Sequence, residues 1–406
     1  MFCLFTLGCR DKISDELLAF SKVPEGITFS QYYTLTLTDS LDISLPFDIP
    51  AHDPGIDYIV ENDSIYYFID LKNRIIKVNM YTSTINIINV PLQEGTGDIT
   101  AICHPSPEKF ILLQDFPERI IIMEGDKMIH HTLPKINFQS TNKKFNKLSE
   151  SFKKDESNYI TDYSNLHYDS LNNQLHIGLE PLNASDSEGF ENCGRIGIYD
   201  LSNLQWTGIY APPEGMLKHK GELTFTYILS KKNTLFKKDT MFISYVNDHF
   251  VYYYRQGQYL GKFPHISTES NDMLLPVDLN YASDIEKMKT YEYSAPYYGI
   301  FYYHEKLKLY SRIYYDQQIP LDGNGRYRPP YLLRNIYVIF LDENFNHVGE
   351  YKFLPGSLQF ECAIPVSDGF VLYSTKYNNR DTLNQKFRLK YKYTITPDSN
   401  KINKKN

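Results

Sequence analysis

Alanine is scarce in this sequence, with eight residues in 406. Alanine is the best helix former, and 35 Tyr and 24 Phe stand where it is missing, so the balance favours pleated, half-buried strands over helices. Basic charge is not in excess either. Lys+Arg 42 against Asp+Glu 49 leave a formal net charge of −7, whereas a protein that grips duplex phosphates needs a concentrated basic face. The densest basic stretch, Lys143, Lys144, Lys147, Lys153 and Lys154, is diluted by Glu150, Asp155 and Glu156 and reads as a solvated loop. Nucleic acid is therefore not expected as a partner. Charged residues at 22% beside aromatic residues at 15% argue against disorder, and only residues 398–406 read as a disordered tail. No stretch approaches the ~20 apolar residues that a spanning helix needs.

Chemical motifs are equally sparse. A serine hydrolase places its nucleophile in Gly-x-Ser-x-Gly; no such pentapeptide occurs, and Pro355-Gly356-Ser357 reads as a turn. His130-His131, His52-Asp53 and Cys103-His104 are adjacent pairs, and in a strand successive side chains point to opposite faces, so neither member helps the other hold one ion. Asp322-Gly323-Asn324-Gly325-Arg326 opens like a calcium loop, but Arg326 stands where the third ligand belongs. No metal, cofactor or catalytic residue is expected. Of five cysteines, Cys3 and Cys9 sit at the very start, which leaves Cys103, Cys193 and Cys362. An odd count without a Cys-x-x-Cys pair excludes a disulfide scaffold, and Cys103 and Cys362, inside apolar patterns, read as buried thiols.

What the chain does contain is short runs of alternating or wholly aromatic and β-branched residues, punctuated by Asn, Asp, Gly and Pro turns. They fall into sets of four. The first is Ile56–Val60, Ser64–Ile69, Arg74–Val78 and Thr84–Val90, and the second is Ile99–Cys103, Lys109–Gln114, Arg119–Met123 and Lys127–Leu133. The third is Asn165–Tyr168, Gln174–Gly178, Arg195–Tyr199 and Leu204–Tyr210, followed by Glu222–Leu229, Thr240–Tyr245, Phe250–Tyr254 and Gln258–Phe263 as the fourth. The fifth is Tyr298–Tyr303, Lys308–Tyr315, Asn335–Phe340 and His347–Phe353. The sixth has only Gln359–Ile364, Phe370–Thr375 and Phe387–Thr394, while two unused strand patterns, Tyr32–Leu37 and Leu41–Phe47, lie at the other end. A ring of four-stranded sheets that borrows its last strand from the N-terminus removes its free edge. The expected fold is all-β: a single β-propeller of six four-stranded blades closed by the N-terminal strand. Seven blades is the alternative, with a weak set inside residues 265–300; two sandwich domains split near residue 214 fit the recurring sets less well. Long connections fall at 135–164, 179–194, 265–296 and 316–334, and Ala282 to Lys289 is the one helical candidate.

The start, Met1 to Cys9, is an apolar run ending in Gly8-Cys9 before Arg10-Asp11-Lys12. It resembles the end of a bacterial lipoprotein signal, in which the Cys is acylated, although Thr6-Leu7 is an imperfect version of the usual order and no basic segment precedes it. Residues 1–9 then form the signal ending at the lipid-bearing Cys9, 10–26 a tether, and 27–397 the propeller. Together with Tyr33-Thr34-Leu35-Thr36-Leu37 and a blade such as Asn62 to Phe68 followed by Arg74 to Val78, the chain resembles the six-bladed β-propeller lipoproteins of Bacteroidota, many of them in families of unknown function. That resemblance implies a periplasmic or outer-membrane lipoprotein and no particular reaction.

Propellers gather their inter-blade connections around one mouth of the channel. Here such connections hold Glu94, Arg119, Arg195, Tyr297, Arg326, Arg328 and Tyr331. Aromatic faces beside guanidinium forks suit acidic glycans, peptides or an envelope protein. The expected function is a monomeric binding or interaction module whose only membrane contact is the anchor. An enzyme of lyase or glycosidase type is the alternative, which would need paired carboxylates ~5–10 Å apart at that mouth.

Overall fold

A computed structural model describes residues 21–44, 58–134, 159–181, 195–210, 223–224, 232–273, 277–278, 295–317, 334–353, 362–375 and 387–398, apart from positions 62, 64, 71, 80, 81, 83, 94 and 116. The first strand, β1 (Tyr33–Ser44), stands apart from its sequence neighbours. Next come β2 (Tyr58–Glu61), β3 (Ile65–Ile69), β4 (Arg74–Asn79) and β5 (Ile85–Asn89), then β6 (Ile99–Ser106), β7 (Lys109–Gln114), β8 (Arg119–Glu124) and β9 (Lys127–Thr132). The third group is β10 (Tyr159–Asp169), β11 (Gln174–Pro181), β12 (Arg195–Asp200) and β13 (Gln205–Tyr210). A short β14 (Leu223–Thr224) precedes β15 (Lys232–Lys237), β16 (Thr240–Tyr245), β17 (Phe250–Arg255) and β18 (Gln258–Pro264), and a short β19 (Val277–Asp278) follows. The last strands are β20 (Tyr297–His304), β21 (Leu309–Tyr315), β22 (Ile336–Leu341), β23 (His347–Phe353), β24 (Cys362–Val366), β25 (Gly369–Thr375) and β26 (Phe387–Pro397).

Each run of four pairs in simple up-and-down antiparallel order: β2 to β5, β6 to β9, β10 to β13, β15 to β18 and β20 to β23. The sixth group is β24, β25 and β26 with β1 as its fourth member, and one parallel pair, Tyr33 with Gly349, joins it to β23. Turn chemistry sets the hairpins. Asp70, Asp169, Asp200 and Asp342 each accept backbone N–H bonds from residues two to four further on, at 2.7 to 3.3 Å, which is how aspartate closes a turn on its own backbone. Between β17 and β18, Gln256 and Gly257 both adopt positive φ, 48° and 80°, the two-residue turn whose twist matches a hairpin.

Two expectations are corrected. The two N-terminal patterns are one strand: β1 pairs with β26 from Tyr33 opposite Pro397 to Ser44 opposite Phe387, and a bulge between Leu37 and Asp39 absorbs the polar residues that look like a break. The fourth group opens at Lys232, whereas Leu223–Thr224, within the expected first strand, pairs with β19 instead. Within 265–300, where a seventh set was the alternative, the described residues hold β19 and the start of β20, and 279–294 lie outside them. The helical candidate at 282–289 lies outside the described residues.

Apolar packing joins successive sheets. One cluster combines Ile75 and Tyr67 with Ile102 and Leu112; the next combines Ile111 and Ile120 with Leu175 and Ile177. Ile196 and Tyr210 pack with Met241 and Tyr252, Phe242 and Phe263 with Phe301 and Tyr310, and Ile336 and Phe340 with Leu372 and Ile395. First strands neighbour one another in the order β2, β6, β10, β15, β20, β24, and β24 in turn neighbours β2. At that last contact Ser367 donates its backbone N–H to Asp63 at 2.6 Å and its hydroxyl to the same carboxylate, which also takes Lys306 at 2.8 Å. Four-stranded meanders stacked through their apolar faces, inner strand against inner strand, are a propeller-like architecture.

Imidazoles are built into these seams uncharged. His176, His249, His265, His304 and His347 are buried, and burial holds the rings of His176, His249 and His304 down at about 4 from the ordinary 6.5, with His265 and His347 lowered as well. An unfolded chain takes up protons below pH 6.5 while the folded one refuses them until much lower, so stability is complete above pH 6.5 and lost as the pH falls toward 4. Asp248, which burial pushes up to about 6, acts in the opposite sense as a single group. The urea midpoint is expected to drop steeply between pH 7 and pH 4.5, by several kcal/mol at ~1.4 kcal/mol per pH unit per imidazole; a flat profile contradicts buried neutral rings. At Gly349 a Cβ would meet the Tyr33 carbonyl oxygen at 2.3 Å, so Gly349→Ala should push β1 off β23 and cost ~1–3 kcal/mol, read as a lower melting midpoint.

Candidate functional site

Antiparallel order decides which connections share an edge. In every group the first-to-second and third-to-fourth connections lie at one edge, and none is longer than five residues. The opposite edge receives the second-to-third connections and those passing from sheet to sheet, including 133–158, 182–194, 265–296 and 316–335. These are termed the turn edge and the loop edge. Arg119, Arg195 and Tyr297 open strands that start at the loop edge. Glu94, Arg326, Arg328 and Tyr331 lie outside the described residues, as does Cys9.

The three that are described are half-buried or buried. Arg119 opens β8 opposite Gln114, whose amide donates to the Gly97 carbonyl at 2.9 Å. Arg195 opens β12 opposite Leu179 and is 5% exposed. Tyr297 opens β20; its ring stacks on Tyr315 at 4.4 Å, with the Arg334 guanidinium 5.0 Å from the ring centre. The structure does not draw these three into one pocket; each sits at the head of a different sheet.

One spacing recurs at two strand starts. Asp70 precedes Arg74, and Asp115 precedes Arg119, by four residues, each Arg followed by Ile-Ile. Asp70 accepts N–H bonds from Lys72 at 3.0 Å and Arg74 at 2.9 Å, and its second oxygen takes the Arg74 side chain at 2.8 and 2.5 Å. Burial pushes the Asp70 carboxyl up, and the bonds from Arg74 and Lys72 outweigh it, leaving it below the ordinary carboxylate range. This is a fork on a carboxylate that ties the turn to the strand it feeds.

Beneath the loop edge, between the fourth and fifth sheets, lies a buried polar centre. Arg312, in β21, is 0% exposed. It donates to the carbonyls of Tyr245 at 2.9 Å, Asp248 at 2.7 Å and His265 at 3.2 Å, and its guanidinium lies 3.6 Å from the Tyr298 ring centre. Three neutral oxygens and a ring face thus replace water around the charge. Burial lowers its pKa to about 10, which leaves it cationic at neutral pH. Asp248 accepts the Phe250 N–H at 2.9 Å and the Tyr252 hydroxyl at 2.5 Å; burial raises it to about 6 against the pull of those donors and Arg312. The Tyr298 hydroxyl meets His249 Nδ1 at 2.9 Å and Ser270 Oγ at 3.2 Å. One cation therefore fastens turn 246–249 and connection 265–273 onto the fifth sheet. With Arg312 and Asp248 at 0% and 1% exposure, the centre positions loops and does not itself meet a ligand. Among the described residues no three His, Cys, Asp or Glu side chains gather as a metal set.

Comparison with known proteins bears on the fold. A member of the DUF4221 family from Bacteroides vulgatus has a similar solved structure, with a TM-score of 0.65 and 12% sequence identity over 91% of this chain and 100% of that one. The two share a fold. Weaker likenesses, at TM-scores of 0.42 and 0.40, are to the β-propeller domain of Cps50 (Swd1) from Myceliophthora thermophila at 7% identity and to a luciferin-regenerating enzyme at 10%. They cover 89% of this chain with 100% of the domain, and 84% with 91% of the enzyme. No protein-family model and no curated protein sequence matches the chain.

Sequence reasoning passed over the propeller's buried centre, although a signal was present. Arg312 is the lone charge in Leu309-Tyr310-Ser311-Arg312-Ile313-Tyr314-Tyr315, a strand buried on both faces, and a charge at such a position must be solvated by protein. Arg312→Met removes the cation and leaves three carbonyls short of a donor, so a loss of ~3 kcal/mol is expected. Arg74→Met, at a pair with the arginine side chain 26% exposed, should cost ~1 kcal/mol or less. Urea midpoints of the two variants check the order, and equal losses contradict it.

Proposed function

We propose that this chain is a lipid-anchored, six-bladed β-propeller of the cell envelope, akin to the DUF4221 family, that binds a glycan, a peptide or an envelope protein through its loop edge. Six blades and a closed ring are supported by the inner strands, which neighbour one another from β2 round to β24 and back to β2. Closure is supported by β1, the fourth strand of a sheet whose other three come from the C-terminal end. The anchor is supported by Gly8-Cys9 at the end of an apolar run.

One observation carries the binding reading: every connection longer than five residues leaves from and returns to strand ends at the loop edge. A ring needs only tight turns to reverse its strands, and rigid scaffolds place variable, contact-making segments on one side. Between β21 and β22 the sequence holds Arg326, Arg328 and Tyr331, guanidinium forks and a ring suited to carboxylated sugars or acidic peptides.

Two outcomes are expected. The chain should fractionate with membranes and Cys9→Ala should release it; a membrane-bound Cys9→Ala protein contradicts the anchor. On a panel of uronic-acid oligosaccharides and acidic peptides, the combined Arg326→Ala, Arg328→Ala and Tyr331→Ala variant should lose binding at least tenfold with an unchanged melting midpoint. Undiminished binding would place the contact elsewhere.

A further inference from the structure

Residues 21–32 form a strap across the fifth sheet. At the loop edge, the Ser21 carbonyl accepts the Met273 N–H at 2.8 Å, Val23 N–H donates to Asp272 at 3.0 Å, and Lys22 pairs with the same carboxylate. Val23 and Ile27 then pack against the face made by Tyr298, Tyr314, Tyr337 and Ile339. At the turn edge, Ser30 meets His347 at 2.9 Å, Gln31 holds the Glu350 carbonyl at 2.8 Å, and Tyr32 N–H donates to Val348 at 2.7 Å. Only then does the chain enter β1 at Tyr33. Connection 265–273 is sewn to the same sheet beside it: Asn271 to Asp316 at 2.9 Å, its N–H to the Tyr314 hydroxyl at 3.0 Å, and Thr268 to Glu350 at 2.7 Å.

The strap decides where the preceding chain leaves the ring. Without it, residues before Tyr33 would depart from the turn edge, beside Pro397. With it they depart from the loop edge, beside Met273 and Asp272. The two edges are separated by the length of a six-residue strand, ~20 Å. From Cys9 to Ser21 the chain advances twelve residues, which span at most ~40 Å in any conformation.

We propose that the strap turns the loop edge toward the membrane, so that the binding face addresses ligands at the lipid surface or carried on neighbouring membrane components. This rests on the proposed anchor at Cys9. The geometry of the strap is independent of acylation, and the experiment uses that independence.

Residues 1–9 are replaced by a hexahistidine segment, and the chain is docked on phosphatidylcholine vesicles that contain nickel-chelating lipid and a headgroup-linked energy acceptor. In a Cys193→Ser, Cys362→Ser background, a donor is placed either at Gln317→Cys, exposed at the loop edge of the fifth sheet, or at Glu305→Cys, exposed at its turn edge. Energy transfer should be at least twofold stronger from position 317. Releasing the strap with Val23→Ser and Asp272→Ala should erase the difference. Equal transfer, or stronger transfer from position 305, overturns the proposal, and a difference that survives strap release overturns the strap as its cause. Failure of the native chain to fractionate with membranes would defeat the anchor while leaving the vesicle result standing.

Discussion

The antiparallel pairing of β1 with β26 is the interaction on which the rest of the fold depends. It brings the two ends of the sequence into one sheet through eleven opposed residue pairs, each ladder hydrogen bond contributing ~0.5–1.5 kcal/mol net. Leu35, Tyr393 and Ile395, on its apolar face, lie in the core shared with β22 and β25. Take β1 away and β26 becomes an unprotected edge, the sixth group loses its fourth strand, and the parallel contact at Gly349 with the fifth sheet goes with it.

That constraint also sorts the molecule into two unlike edges. The turn edge is tied by small devices: turns closed by Asp169, Asp200 and Asp342, Asp63 holding Ser367 and Lys306, and Asn173 bonded to Ser202 at 2.9 Å across two hairpins. Under the loop edge the supports are larger and costlier. Arg312 carries a buried charge on three carbonyls, and Arg334 donates to the carbonyls of Ala295 and Asp316. Desolvating a guanidinium is expensive, and here it fixes the ends from which long connections depart, at His265, Ala295 and Asp316. Such pre-organisation lowers the ordering cost that a binding face pays on association, which agrees with reading the loop edge as the contact surface.

Much of the architecture was legible because strand alternation and turn residues are local signals. Lys109–Gln114, Thr240–Tyr245 and His347–Phe353 are read to the residue, and the abundant tyrosine that marks the chain as β goes into the sheet seams: Tyr210, Tyr252 and Tyr254 fill that of the third and fourth sheets. Illegible features were those set by distant partners. The bulge that fuses two patterns into β1 exists because β26 runs alongside it. Leu223–Thr224 looks like the opening of a four-stranded group, yet it pairs with Val277–Asp278 more than fifty residues away. Ser21 and Val23, inside a stretch that reads as tether, are fixed by Asp272 and Met273. Of the contact residues chosen from sequence, Arg195 and Tyr297 are packed into strand starts, because an arginine or tyrosine at a strand head serves its own sheet as readily as a ligand.

Closure of the ring by β1 is the central claim, and the termini of the paired strands allow a direct test. Tyr32 accepts the Asp398 N–H at 2.7 Å, so the end of β26 and the start of β1 already meet as a tight turn would join them. In a circularly permuted chain, residues 45–398 are followed directly by residues 32–44, and its urea unfolding is compared with that of residues 45–398 alone. If β1 closes the ring, the permuted chain unfolds in one cooperative transition and the shortened chain does not. Equally cooperative unfolding of the shortened chain would contradict the account.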